Sequence, residues 1–151
     1  MVARGPASWY HPAAAPPASQ RVLRQWAERA NDVTNVVAAL RSNAIAMAAS
    51  IARQDIAAVG ACLDKYWSQK KRMAAHAEPA EVTAMLAVLR PHVHGASLCG
   101  AGGGGFLVGI SKERHAIERV DAVLRADPST RDLAFSVHRC TVDNAGLTLR
   151  D

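Results

Sequence analysis

Five glycines within six positions, from Gly100 to Gly105, constrain the fold of this 151-residue chain more than any other feature. Apolar runs flank them at 96–99 and 106–110, and such runs are typical of strands. Because glycine adopts positive φ readily, the segment predicts a loop between two strands. A simple turn needs fewer glycines, each costing about 0.5–1 kcal/mol of ordering entropy relative to Ala. The pattern therefore also indicates an anion site, where backbone N–H groups face a phosphate.

The same residues match the letters of a dinucleotide-binding fingerprint, Gly-x-Gly-x-x-Gly, but in a different context. That fingerprint opens a helix, whereas Phe106–Ile110 has the composition of a strand. No Lys-Ser or Lys-Thr pair follows the glycines, as a P-loop would require. Dinucleotide-binding and P-loop folds are therefore disfavoured, and a tight glycine turn without a ligand stays open as the alternative to an anion site.

Apolar residues elsewhere recur at steps of three and four, the spacing of one buried helix face. This spacing predicts helices over residues 20–29, 33–51, 56–70, 79–90 and 112–126. Near the end of the chain, residues 133–137 and 147–149 alternate as in a hairpin around a turn at 143–146. This succession predicts an α+β fold, with a helical layer against one face of a mainly antiparallel sheet.

The first residues differ in composition from the rest of the chain. Five Gly and Pro residues surround an Ala tract between Gly5 and Pro17, which disfavours both a regular helix and a central strand. We therefore expect a flexible lead-in at residues 1–19. Residues 20–151 are then one domain, because a chain of this length usually forms a single core.

Charge and cysteine content narrow the classes of partner. The formal net charge of +5 permits attraction to anions, but the densest basic cluster, Lys70-Lys71-Arg72, is too short for a nucleic-acid stripe. Cys62, Cys99 and Cys140 lie too far apart in sequence for a metal knuckle, and their odd number argues against a disulfide framework. No apolar run approaches the roughly 20 residues that span a bilayer. We expect a cytoplasmic protein without nucleic-acid or membrane partners.

Few side chains suggest chemistry of their own. His92 and His94 would place both rings on one face of a strand, which a metal ion tolerates, but no third ligand is near in sequence. Ser97 could donate a hydrogen bond, yet no base that would activate it as a nucleophile is visible. The sequence therefore predicts no metal site and no catalytic residue.

Two blocks of the sequence together resemble the GHMP kinase superfamily, in the form found in L-fucose kinases. The second block, Pro91–Leu107, is similar to the third motif of these kinases, and the likeness extends from about Val22 to the C-terminus. The first block, which is followed by Glu78-Pro79, reads Tyr66-Trp67-Ser68-Gln69-Lys70-Lys71-Arg72-Met73-Ala74. Heptose kinases share a looser Trp-x-x-Lys-Lys followed by a Gly-Ala-Gly-Gly-Gly-Gly loop, so a heptose kinase fragment is the nearest alternative.

The resemblance implies the C-terminal α/β-plait domain of these kinases, which is ferredoxin-like. It also implies ATP-dependent phosphorylation of the anomeric hydroxyl of L-fucose or a related sugar, with Mg²⁺. The superfamily's ATP-binding motif, of the Pro-x-x-x-Gly-Leu-Gly-Ser-Ser type, is not found in this sequence. We therefore expect the chain to be inactive without an N-terminal kinase half, supplied in cis or in trans, and to self-associate when alone. A non-catalytic remnant or binding module is the alternative from another class.

The resemblance also assigns candidate site residues. It places the loop on the phosphate side of the site, with the members Gly100, Ala101, Gly102, Gly103, Gly104 and Gly105. Lys70, Lys71 and Ser97 are candidate substrate-proximal residues. The two lysines would face the active-site cleft, and a solvated basic helix face is the alternative for them. Tyr66 and Trp67 fall where the helix needs core residues, so packing is favoured for them over sugar stacking.

Overall fold

The structure, a computed structural model, describes residues 2–4, 23–24, 26–28, 31–74, 77–100, 105–114 and 116–142. Its helices are α1 (Asn31–Ala52), α2 (Ile56–Met73), α3 (Ala80–Leu89) and α4 (Ile117–Ala126). Its strands are β1 (Val2–Arg4), β2 (Val93–Leu98), β3 (Phe106–Ser111) and β4 (Ser136–His138). Residues 23–24 and 26–27 are also helical, inside the range predicted for a short helix.

The strands form one sheet in the order β2-β3-β1-β4, in which every neighbouring pair is antiparallel. Strands β2 and β3 are consecutive in the chain and pair along their length, with Leu98 opposite Leu107. The helices and the antiparallel sheet confirm the predicted α+β class.

Strand β1 differs from the expectation for the first residues. Val2–Arg4 lies between β3 and β4, so a central strand forms in the segment expected to lack one. The prolines begin only at Pro6, so these three residues keep the N–H groups that a central strand must donate. Residues 5–19 lie outside the described residues, and the boundary at residue 19 stays a prediction.

The C-terminal hairpin was predicted around a turn at residues 143–146. Strand β4 forms near the predicted first arm and pairs with β1. The turn and the second arm, at 147–149, lie outside the described residues. Helix α4 begins at Ile117 rather than at residue 112, because Ser111 ends β3 and its hydroxyl accepts a hydrogen bond from the N–H of Glu113 at 3.2 Å, within a turn.

Helices α1 and α2 form an antiparallel pair joined by a tight turn. Gln54 adopts a positive φ of 58° in this turn, and the Asp55 side chain caps α2 by accepting from the N–H of Ala58 at 3.0 Å. Between the helices, the Asn43 amide donates to the Cys62 carbonyl at 2.8 Å. The break predicted at residues 54 and 55 is confirmed.

Helix α1 packs against α2 and exposes much of its remaining surface. Val33, Val36 and Asn43 are buried, while Ile45 and Ile51 are 62% and 59% exposed. By length and composition alone, Val33–Ala52 is apolar enough to cross a bilayer, contrary to the expectation that no run approaches that length. Core helices of soluble proteins and signal sequences pass the same test, so one such helix assigns no membrane location.

Helix α2 lies against β2 with two backbones in direct contact. A Cβ added to Gly95 would lie 1.9 Å from the Gly60 carbonyl oxygen, and one added to Gly60 would lie 2.4 Å from the His94 Cβ. Four residues further along α2, the Asp64 carboxylate accepts the N–H of Ala96 at 2.9 Å. Within the described sheet β2 is an edge strand, so Asp64 satisfies a donor that the ladder leaves unpaired.

The core lies where α2, α3 and α4 meet the sheet. Leu89, Leu98, Leu107 and Leu124 are almost fully buried there, together with Trp67. Helix α3 begins after Pro79, as its ring favours, and ends before Pro91. The apolar stripes predicted for these helices therefore supply the core.

Replacing Gly95 with Ala tests the contact between α2 and β2. The new methyl group would collide with the Gly60 backbone, so we expect the free energy of unfolding to fall by at least about 2 kcal/mol. Chemical denaturation monitored by circular dichroism measures this loss. Ser68→Ala, at an exposed position of α2, should change the value by less than about 0.5 kcal/mol. Equal effects of the two substitutions would show that the contact is not tight.

Candidate functional site

The glycine cluster connects β2 to β3, as the sequence predicts. At the base of this hairpin the Cys99 N–H donates to the Phe106 carbonyl at 2.7 Å, and the chain continues into a strand rather than a helix. Gly100 and Gly105 have φ values of 75° and 102°, which residues with a Cβ adopt only under strain. A Cβ at either glycine would meet no described atom within 4 Å. Backbone conformation, not crowding, therefore requires glycine at both ends of the loop.

Four members of the predicted phosphate loop, Ala101, Gly102, Gly103 and Gly104, lie outside the described residues. Their part in anion binding stays a prediction. The two described glycines have the positive φ that such a loop requires, and no described atom would lie within 4 Å of a Cβ added at either one.

Lys70 is the lysine that reaches this hairpin. Its Nζ donates a hydrogen bond to the Gly100 carbonyl oxygen, and it lies 5.8 Å and 5.6 Å from the ring centroids of Tyr66 and Trp67. Such distances allow a cation–π attraction. The structure therefore joins a charged side chain of the first sequence block to Gly100, the first glycine of the loop in the second block.

The geometry of α2 and β2 explains why Lys70 contacts Gly100. Lys70 follows Gly60 by ten residues, which is about 15 Å of helix rise. Gly100 follows Gly95 by five residues, which is about 17 Å of strand. Since Gly60 and Gly95 are in contact, the two segments end at nearly the same level.

Lys71, the next residue along, has a different partner. Its Nζ lies 2.8 Å from the Glu78 carboxylate, which also accepts hydrogen bonds from the Trp67 indole N–H and, at 2.9 Å, from the Thr83 hydroxyl. Partial burial alone would raise the pKa of Glu78, but these three donors outweigh it and hold the pKa below its usual value. Glu78 therefore ties the end of α2 to the start of α3, and Lys71 belongs to that junction.

Ser97 and the aromatic pair have clear positions in the fold. Ser97 is 2% exposed, and its hydroxyl donates to the Leu98 carbonyl at 3.3 Å. Its predicted contact with substrate is not tested by this arrangement and stays a prediction. Trp67 is buried in the core, which confirms packing as its role, while Tyr66 is half-buried.

The cysteines and histidines add no metal site to the described part of the chain. Cys62, Cys99 and Cys140 are all free, and no group of three or more His, Cys, Asp or Glu side chains among the described residues could hold a metal ion. Partial burial raises the pKa of the Cys99 thiol; the nearby Lys70 cation opposes this rise, and Cys140 adds to it.

A polar cleft of about 470 Å³ lies between α2 and α3, away from the hairpin. Its rim holds two ion pairs: Arg90 with Asp64 at 2.5 Å, and Lys71 with Glu78. Asp64 and Lys71 share one face of α2, whereas helix geometry turns Lys70 about 100–120° away from them. The cleft and the hairpin therefore lie on different sides of α2.

Three residues that build the site were not predicted from the sequence. Gly60 lies inside a helix, where an isolated glycine costs about 1 kcal/mol relative to Ala, and that cost is a signal of close packing. Asp64 showed no signal, because its partner Ala96 is remote in sequence. Glu78 entered only as part of the resemblance, with no role given to it.

Comparison with known proteins identifies the family of the chain. The model of the family described as GHMP kinases C terminal matches residues 47–128, more than half of the chain. The chain belongs to this family. A curated relative, the L-fucokinase/L-fucose-1-P guanylyltransferase of Bacteroides fragilis, is 29% identical over 90 residues, which are 60% of this chain and 10% of the relative.

A solved structure shares the fold. Mevalonate kinase of L. major, in complex with R-mevalonate, superposes with a TM-score of 0.60 at 15% identity, over 90% of this chain and 40% of the mevalonate kinase chain. This likeness confirms the C-terminal fold of GHMP kinases. The chain spans about a tenth of the fucokinase relative and two fifths of the mevalonate kinase. The family match and the shared fold therefore agree on the C-terminal domain of a GHMP kinase.

Substituting Glu78 with Gln tests the junction between α2 and α3. Loss of the charge should lower the free energy of unfolding by about 1–2 kcal/mol at neutral pH. Because the folded-state pKa of Glu78 is depressed, its stabilisation is complete above the unfolded pKa and is lost as pH falls through the folded pKa. The difference between the two proteins should therefore shrink at acid pH, as measured by denaturation at a series of pH values.

Glu118→Gln is the matched control for this experiment, because Glu118 is exposed in the first turn of α4. It should change stability by less than about 0.5 kcal/mol. A difference for Glu78→Gln that does not vary with pH would contradict a role for its charge.

Proposed function

We propose that this chain is the C-terminal half of an ATP-dependent sugar 1-kinase that converts L-fucose to fucose 1-phosphate. The observation that supports it most directly is the hairpin, with positive-φ glycines at both ends and Lys70 at its base. Family membership and the activity of the fucokinase relative favour this reaction over other phosphate-binding functions. An N-terminal kinase half, in cis or in trans, completes the enzyme.

Phosphoryl transfer is catalysed chiefly by positioning and by electrostatic stabilisation of the phosphoryl oxygens. The described ends of the hairpin support this proposal, since Gly100 and Gly105 have positive φ and Lys70 supplies a positive charge nearby. When bound, ATP supplies the phosphoryl group, and Mg²⁺ neutralises part of its charge. No carboxylate cluster among the described residues fits Mg²⁺, so we place its ligands in the N-terminal half.

Several properties of the lone chain belong to the same proposal. Without the ATP-binding motif, the chain supplies part of the phosphate site but does not catalyse the reaction. Its apolar α1 surface favours self-association when the N-terminal half is absent. We also propose a cytoplasmic location, which three free cysteines support.

Complementation tests the function. The chain is co-expressed with the N-terminal kinase segment of a fucokinase, and ADP release is measured with L-fucose, heptoses and mevalonate. We expect ADP release to depend on L-fucose and on both halves together. Either half alone should be inactive.

Gly100→Val in the same assembly tests the requirement for glycine at the hairpin. A β-branched residue is strained at a φ of 75°, so we expect activity to fall at least about tenfold while the fold is retained.

Preference for a heptose would assign the heptose kinase alternative. A correctly associated assembly without activity on any sugar would leave a non-catalytic module, and turnover by the chain alone would refute the need for a second half.

A further inference from the structure

The polar cleft between α2 and α3 holds two carboxylates that already have partners. The Asp64 oxygens accept from the N–H of Ala96 at 2.9 Å and from Arg90 at 2.5 Å. The Glu78 oxygens accept from the three donors of the junction between α2 and α3, one of which is Lys71. A cation therefore lies beside each of these acidic groups, and a positively charged ligand would bring a second.

The basic side chains of the cleft keep donors that the described part of the chain does not use. A guanidinium group carries five N–H donors and an ammonium group three. Among the described residues, the Arg90 side chain bonds only to Asp64, and Lys71 only to Glu78. Lys65 lines the same cleft, and its ammonium group has no ion pair or hydrogen bond to a described residue. The described lining therefore has three cations for two carboxylates, and it favours a ligand that accepts hydrogen bonds.

The positions of these cations favour an extended ligand over a compact ion. Asp64 and Lys71 are seven residues apart on α2, which is about 10.5 Å of helix rise. Since Arg90 bonds to Asp64, Arg90 and Lys71 lie toward opposite ends of the cleft. Lys65 is near the Arg90 end, and Ser68 lines the cleft between the two ends. The volume of about 470 Å³ is within the range of small-molecule sites.

We propose that this cleft binds a small organic anion with two or three carboxylate groups. One carboxylate is held by Arg90 and Lys65, and another is held by Lys71. A guanidinium group suits the first position because it can bind a carboxylate through two parallel hydrogen bonds. The site lies on the other side of α2 from the glycine hairpin, and the inference does not depend on the kinase reaction.

Binding leaves the ion pairs of the cleft in place. The side chains of Arg90 and Lys71 are 63% and 41% exposed, whereas those of Asp64 and Glu78 are 29% and 14% exposed. The cations therefore face the open part of the cleft, and the carboxylates lie deeper. A carboxylate of the ligand binds the free donors on the outer side of each cation. Such charge-assisted hydrogen bonds are roughly twice as strong as neutral ones.

Calorimetric titration of the full chain with four anions at constant ionic strength tests the proposal. Citrate and adipate should bind at least about tenfold more tightly than acetate and inorganic phosphate, because only they reach cations at both ends of the cleft. Equal binding of all four anions, or no binding of citrate by the folded chain, would overturn the site.

Substitutions identify the residues that hold the anion. Arg90→Gln should weaken citrate binding at least about tenfold, because it removes charged donors. Lys65→Gln should weaken it about threefold, and this change breaks no ion pair of the described fold. Arg119→Gln is the matched control, since Arg119 is also an exposed arginine paired with a carboxylate, that of Glu113 at 3.1 Å, and does not line the cleft. Equal losses in Arg90→Gln and Arg119→Gln would reject the assignment.

Nuclear magnetic resonance of the nitrogen-15-labelled chain locates the bound anion. Citrate should shift the indole N–H resonance of Trp67, which lines the cleft. Lys70→Gln should keep the wild-type affinity for citrate, because Lys70 reaches the hairpin instead. A Trp67 resonance that does not move at saturation, or loss of citrate binding in Lys70→Gln, would place the anion outside the cleft and contradict the proposal.

Discussion

The contact between Gly60 and Gly95 is the constraint on which the rest of the structure depends. Neither position has room for a side chain, so α2 lies directly against the edge strand β2. This approach brings Asp64 to the free N–H of Ala96, where it satisfies a donor that an edge strand would otherwise expose. It also sets the end of α2 beside the glycine hairpin. The position of Lys70 beside Gly100 is therefore a consequence of helix–strand packing about 15 Å away.

Helix α2 has distinct faces with distinct roles. One face packs on α1, where Asn43 bonds to the Cys62 carbonyl, and another supplies Trp67 to the core. The two lysines near its end point in different directions, so a single sequence motif serves two purposes. Lys71 holds the junction with α3 through Glu78, while Lys70 reaches Gly100. The stability of the junction keeps the helix end, and with it Lys70, at the hairpin.

Much of this fold follows from sequence patterns that act over short distances. The helices α1 to α3 and the hairpin between β2 and β3 were predicted, because apolar spacing, Pro79, Pro91 and the glycine cluster are local signals. The strand Val2–Arg4 was missed, since the nearby prolines dominate the composition of its segment and its pairing partners are remote. The pairing of the short β4 with β1 was not predictable either, because the two strands are remote in sequence.

The candidate site was predictable in part. The glycines of the loop and the two lysines were recognisable, but their division of labour depends on the rotation of α2 against β2, which the Gly60–Gly95 contact determines. The hydrogen bonds that Asp64 accepts from Ala96 and that Glu78 accepts from Trp67 join residues that do not share a helix or strand. Such pairings leave no periodic trace in a sequence, so only the folded structure identifies them.

A crystal structure of the chain assembled with an N-terminal kinase half, bound to a non-hydrolysable ATP analogue, tests the central claim most directly. The account predicts phosphate oxygens within hydrogen-bonding distance of backbone N–H groups between Cys99 and Phe106, with the Lys70 ammonium on the same phosphates. Phosphates bound elsewhere, with the hairpin packed under other side chains and Lys70 still on the Gly100 carbonyl, would contradict it.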